Sequence, residues 1–224
     1  MPTYTSYPTA GDVEALLKSA KYWPEDSDTA AVALAREQAA IAAAGVAREF
    51  ESRTGWLPFL AKAEPTARVF DATTGEGVLE LGGGLLATPA PVVSLTEGAS
   101  VYQEGKSYWL QSANAPDQGL PYTRLQFVHS LFGGRVWSYP NRITITGRWG
   151  YCAELPPDVW VAIQKKAGVE VLASIENLQS IASISQDGFS KAYDIVGIIT
   201  QKDVLDRWGK DFDRFCTRYA RVTV

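Results

Sequence analysis

The chain has 224 residues, 46% of them hydrophobic, enough to bury a core as one domain or as a core carrying one elaborated insertion. A formal charge of −4 and a pI near 5.1 argue against gripping nucleic acid by phosphate neutralisation, which needs surplus Lys and Arg on one face. Cys152 and Cys216 have neither a CxxC spacing nor a nearby histidine, and read as buried thiols in a reducing compartment rather than as a metal site.

The opening, MPTYTSYPTAGDVEALL, lacks the basic start and apolar run of a secretory signal. No segment approaches the about 20 uninterrupted apolar residues of a membrane-spanning helix. The expectation is a cytoplasmic chain with no membrane partner. Thr9 is placed to cap a short helix over Asp12–Ala20, and Trp23-Pro24-Glu25-Asp26 breaks the chain after it. A long helix follows from Asp28 to Thr54, free of proline, with Ala35, Ala39, Ala42, Val46 and Phe50 at helical spacing and Leu34 and Ile41 widening the stripe. Gly45 inside it either costs helix stability or serves close packing, and Gly55 ends it.

From Ala67 to Tyr151 the pattern changes to short β-branched or alternating runs separated by Gly, Pro and Asn. Strands are expected at Arg68–Ala72, Val78–Leu81, Val92–Glu97, Ser100–Gln103, Tyr108–Gln111, Arg124–Val128 and Arg142–Thr146, with Glu104-Gly105-Lys106 as a hairpin turn. Pro156-Pro157-Asp158 then opens a third helix, since proline is tolerated where its missing N–H has no intrahelical partner. Trp160, Ile163, Ala167, Val171, Ile175, Leu178 and Ala182 form its stripe. After a loop at Ser183–Ala192, a last helix is expected near Thr200, where Thr200 and Asp203 fit a capping box. Leu205, Trp208, Phe212, Phe215 and Tyr219 line one side of it, opposite Lys202, Asp206, Lys210, Asp213 and Arg214. The pattern predicts an α+β fold. A bundle core of three to four helices comes from residues 1–66 and 151–199, an inserted antiparallel β lobe from 67–150, and a C-terminal helical arm from 200–224.

The chemistry-like patterns are weak. Gly105-Lys106-Ser107 ends like a phosphate-binding loop, but Ser100 stands where the earlier glycine is required and no helix is expected after it. The glycines at 75, 77 and 82–84 do not make GxGxxG and read as turns or an adaptable loop. His129 is the only histidine, so a His-based triad or multi-histidine metal site has at most one member, and no GxSxG elbow exists. Neither Glu76 with Glu80 nor Asp211 with Asp213 is singled out as an acid–base pair. The reading is no enzyme, no cofactor and no metal.

The aromatic residues are the other signal. Trp109, Tyr122, Trp137 and Tyr139 sit where exposed rings could stack on sugar or on a protein. A carbohydrate- or receptor-binding virion component, using the aromatic-rich Tyr108–Tyr139 region on a helical scaffold, is the alternative they support.

Four stretches resemble the head-tail connector (adaptor) proteins of tailed phages. Tyr4-Thr5, Asp12–Leu17 and Phe50-Glu51-Ser52-Arg53-Thr54-Gly55-Trp56 are similar to that family's opening segment and the end of its long helix. Pro89-Ala90-Pro91-Val92-Val93-Ser94-Leu95 is similar to the start of a strand, and Thr144–Tyr151 with Leu155–Val159 to its most recognisable motif. Ser185–Tyr193 looks like a degenerate Gly-Asp-Ser-Tyr type loop, while Ala99–Pro140 matches poorly. The resemblance implies a homo-oligomeric ring, a dodecamer, docked beneath the portal protein in the virion neck after assembly in the host cytoplasm. It implies a downstream neck or tail protein as a further partner, and DNA passing through the channel without sequence-specific binding. It also implies that the C-terminal segment docks on the portal. The residues suited to that are Trp208, Phe212, Phe215 and Tyr219 as apolar anchors, with Arg214, Arg218 and Arg221 at the rim.

Overall fold

A computed structural model describes residues 3–24, 26–71, 78–86, 94–97, 100–111, 114–115, 117–127, 142–183 and 195–221. It is an α+β protein of two compact units. One comprises Met1–Thr54 with Leu155–Val224, the other Gly55–Glu154.

The first unit holds four helices: α1 (Ala10–Ser19), α2 (Thr29–Thr54), α3 (Pro157–Ser183) and α4 (Ile195–Arg218). Thr9 caps α1 as expected. Its hydroxyl accepts from the Asp12 N–H, and the Asp12 carboxylate accepts from the Thr9 N–H at 2.7 Å. Helix α2 supplies the centre, burying Val32, Ala35, Ala39, Ala43, Val46, Ala47 and Phe50. By length and apolar composition α2 could cross a membrane, yet Arg36 and Glu37 interrupt it and this face is buried in the bundle. Ile41, expected to widen the stripe, is 60% exposed instead, because it lies on the opposite side of the helix from Ala39 and Ala43. A Cβ on Gly45 would meet nothing within 4 Å, so no close packing requires that glycine. Helix α3 buries Val159, Ala162, Ile163, Ala167, Val171 and Leu172, while Trp160 is half-buried and stacks on Tyr4 with ring centroids 4.4 Å apart. The Leu155 N–H donates to the Tyr4 carbonyl at 2.8 Å, joining the two chain segments of the unit.

The expected start of α4 is corrected: the helix begins at Ile195, not near Thr200, so Thr200 and Asp203 lie inside it. Residues 200–221, expected as part of a C-terminal arm, belong to the helical unit, where Trp208, Phe212 and Phe215 are buried.

The second unit has seven strands among the described residues: β1 (Thr66–Asp71), β2 (Val78–Leu85), β3 (Ser94–Glu97), β4 (Ser100–Tyr102), β5 (Tyr108–Gln111), β6 (Tyr122–Phe127) and β7 (Arg142–Gly147). They form two antiparallel sheets, ordered β1-β7-β3-β4 and β2-β6-β5. Leu79, Leu81, Leu85, Leu110, Leu125 and Phe127 from one sheet meet Ile143 and Ile145 from the other, with Trp149, in a single apolar cluster. The turn after Gln103 is tight, with the Ser107 N–H donating to the Gln103 carbonyl at 2.8 Å, but it is not a hairpin. Tyr102 pairs with Leu95 and Tyr108 with Phe127, so the chain changes sheet there. Strand β2 runs through glycines expected in turns, and its register shifts between Glu80 and Leu85. Gly84 has φ +72, and a Cβ there would lie 2.9 Å from the Trp56 ring.

After β7 the chain turns sharply at Trp149-Gly150-Tyr151. The Trp149 indole N–H donates to the Thr66 carbonyl at 2.8 Å, and the Tyr151 N–H to the Phe59 carbonyl at 2.8 Å. A Cβ on Gly150 would sit 2.7 Å from the Ala61 nitrogen, so only glycine lets the two backbones approach this closely. The Tyr151 ring stacks on Phe59 at 4.7 Å. Gly75, Gly77, His129, Trp137, Tyr139, the Ser185–Tyr193 loop, most of the Pro89–Leu95 stretch and residues 222–224 lie outside the described residues.

Candidate functional site

The candidate docking element is α4. Its spacing puts Trp208, Phe212 and Phe215 on one side and charged residues on the other, and the structure turns the aromatic side inward. Phe212 is fully buried, with its ring centroid 6.0 Å from that of Phe50 of α2. Trp208 is buried beside α3 at Gly168, where a Cβ would approach the indole to 3.4 Å. Phe215 and Cys216 are buried next to them, and burial pushes the Cys216 thiol up to about 11. Three of the four aromatic anchors expected at a partner contact, Trp208, Phe212 and Phe215, are thus buried within the subunit's own helical unit.

Ion pairs fasten the edge of this packing. Arg53 of α2 donates from Nη1 to the Asp213 carboxylate at 2.6 Å and to Glu49 at 3.3 Å, and its guanidinium lies over the Phe212 ring at 5.5 Å. The hydrogen bond to Asp213 raises the Arg53 pKa still further. Beyond the helix, the Arg221 N–H donates to the Thr54 carbonyl at 2.7 Å and ties the chain end to the end of α2. The Arg53 to Asp213 link was not legible from sequence, because it depends on which two helices pack together.

The remaining candidates face outward. Arg214 and Arg218 are exposed. Arg214 pairs with Asp211 at 3.4 Å and lies over the Phe215 ring, and Arg218 pairs with Asp158 of α3 at 3.6 Å and lies over the Tyr219 ring. Tyr219 and Arg221 are half-buried at the helix end. Exposed pairs of this kind are worth about 0–1 kcal/mol, so either arginine can exchange its carboxylate for one on a partner at little cost. The structure therefore groups Arg214, Arg218, Tyr219 and Arg221 on accessible or half-accessible surface, and separates them from Trp208, Phe212 and Phe215.

No small-molecule chemistry converges elsewhere among the described residues. A shallow groove beside α2, lined by Tyr7, Thr9, Ala40, Ala44 and Ala47, brings no catalytic set together. No three metal-capable side chains cluster among the described residues. Of the aromatic residues weighed for sugar stacking, Tyr122 is buried and Trp109 is 55% exposed.

No family model matches the chain, and no curated protein does. Solved structures do. A chain in the neck of an empty gene transfer agent particle, computed with C6 symmetry, is 15% identical, with TM-score 0.48, over 100% of this chain and 97% of that one. A chain in the neck of the native particle, computed with C12 symmetry, is 14% identical, with TM-score 0.40 over the same shares. A chain of the native gene transfer agent virion is 14% identical, with TM-score 0.41.

Proposed function

We propose that this chain is a structural virion protein of the neck, a head-tail connector subunit that forms a ring, docks on the portal protein and leaves a channel for DNA. The observation that carries this is the run from β7 through the Trp149-Gly150-Tyr151 corner to α3. It holds the motif on which the resemblance is strongest, and its glycine is required by contact with Ala61. The formal charge of −4 per chain supports the channel, since a ring multiplies it and negative walls avoid holding the passing duplex. Twelve copies, a downstream neck or tail protein and assembly in the host cytoplasm belong to the same proposal and rest on the resemblance.

Docking on the portal is assigned to the outward face of α4. Arg214, Arg218 and Arg221 meet acidic groups, Tyr219 supplies the apolar contact, and the buried Trp208, Phe212 and Phe215 hold the helix in place beneath them. The test is reconstitution with the cognate portal, with class-averaged electron micrographs and co-sedimentation as readouts. The chain should form a ring on the portal's axis. The Arg214→Glu/Arg218→Glu double variant should keep its helical spectrum and lose about tenfold or more in portal affinity at low salt, with a smaller difference at high salt. Unchanged affinity in that variant would remove α4 from the contact, and class averages without a ring would remove the connector reading.

A further inference from the structure

Helix α2 is long and apolar enough to span a membrane, yet only 33% of that apolar stretch is buried within the chain. Its inner face holds Ala35, Ala39, Val46 and Phe50. The outer face, formed by Glu37, Ala40, Ile41, Ala44, Gly45 and Arg48, keeps helical spacing and is exposed throughout, with Ile41 60% exposed near its middle. Nothing inside the chain accounts for that face. Gly45 is a poor helix former, and a Cβ there would meet nothing within 4 Å. Glu37 and Arg48 stand at the two ends of the face, about three turns apart. Neither makes a side-chain hydrogen bond or ion pair among the described residues, although nearby Arg36 pairs with Glu14 and Arg53 with Glu49. The face also mirrors itself. Glu37 lies as far before the point between Ala42 and Ala43 as Arg48 lies after it, and the same holds for Ala40 with Gly45 and for Ile41 with Ala44.

We propose that this face docks on the same face of a second copy, with the two α2 helices antiparallel about a two-fold axis through that midpoint. The reversal sets Glu37 of each copy level with Arg48 of the other, so an ion pair closes each end of the contact. Parallel helices would instead set Glu37 beside Glu37 and Arg48 beside Arg48, and like charges disfavour that arrangement. In the antiparallel register Ile41 sits level with Ala44 of the other copy and next to its Gly45, whose missing side chain leaves room for the isoleucine. Close approach of the two helices thus explains a glycine that its own subunit does not use. A two-fold contact takes the same patch from both copies and is complete as a dimer. It also turns the second copy over, whereas the copies of a ring all point one way along the axis. The dimer is therefore a form of the free chain, and it does not rest on the connector reading.

Sedimentation equilibrium of the 224-residue chain tests this over about 1–100 μM, because one helix face per copy is a smaller contact than a standard interface. The parent chain should pass from monomer to dimer across that range. Glu37→Arg and Arg48→Glu should each weaken the dimer about tenfold or more, since each sets like charges at both ends. The two single variants mixed should form a heterodimer as tight as the parent dimer, because every end then meets an opposite charge. The Glu37→Arg/Arg48→Glu double variant should dimerise like the parent for the same reason, and Ile41→Asp should stay monomeric. All three positions are exposed, and a helical spectrum matching the parent's checks that each variant folds. A monomeric parent chain overturns the proposal, and flotation of that monomer with phosphatidylcholine vesicles would give the face to lipid. Single variants that dimerise as well as the parent, or that fail to pair when mixed, overturn the antiparallel register. Reconstitution with the portal separates the dimer from the connector reading. The single variants should still form rings there, and loss of those rings would make the face a ring contact and overturn the free dimer. A parent dimer that forms no ring on the portal would refute the connector reading alone.

Discussion

Glu14 shows how one carboxylate joins two helices. It lies on α1, one turn before Lys18, and its two oxygens accept from Nε and Nη2 of Arg36 on α2 at 3.0 and 3.1 Å. The Arg36 hydrogen bond first, and the Lys18 one second, hold its pKa at about 2 against an ordinary 4.5. The unfolded chain therefore takes up this proton more readily than the native one. The stability Glu14 contributes is complete above pH 4.5 and fades as the pH falls to about 2. Urea midpoints measured across that window should drop less steeply for Glu14→Gln than for the parent chain. Parallel curves would mean that other carboxylates carry the acid sensitivity.

Helix α4 separates two kinds of residue that the sequence alone presents as one set. Phe212→Ala removes a fully buried ring and should cost about 3–5 kcal/mol of stability. Arg214→Ala on the other face should stay within about 0.5 kcal/mol. For the same reason, truncation after Ile199 should weaken folding of the helical unit rather than leave it intact. Equilibrium denaturation of the variants measures all of this. A Phe212→Ala chain of normal stability that fails to bind portal would show that the aromatic side leaves the bundle on assembly. The stripe itself was legible, because spacings of three and four define a face whatever that face meets. What covers the face was not, since a partner and the chain's own Phe50 look the same from Phe212. The start of the helix was misplaced for a local reason. Ile195, Val196, Ile198 and Ile199 are β-branched and lower the helical expectation, while Thr200 and Asp203 reproduce a capping spacing by chance. Strand positions were readable to within a few residues from alternation and turn residues. Sheet order was not, because β1 pairs with β7 across the whole insertion and the turn at Glu104 joins different sheets.

At the scale of the whole molecule, the two units differ in how the chain builds them. Gly55–Glu154 is one continuous stretch with an apolar cluster drawn from both of its sheets. The helical unit is split, and its halves meet through backbone bonds from Leu155 to Tyr4 and from Arg221 to Thr54 as well as through the packing of Phe50 on Phe212. A continuous unit with its own core can fold when excised, whereas a split one needs both segments present. Residues 55–154 expressed alone should therefore give a β-type far-UV spectrum, dispersed amide resonances and a cooperative thermal transition. Residues 1–54 alone contain α1 and α2 but lack Phe212, on which Phe50 packs, and the rest of α3 and α4, and should show little stable helix. Adding residues 155–224 as a second chain should restore helical signal, because it returns α3 and α4. If the excised β stretch stays unfolded while the complete chain is folded, the β unit depends on the helices for its stability, and the insertion is not an autonomous module.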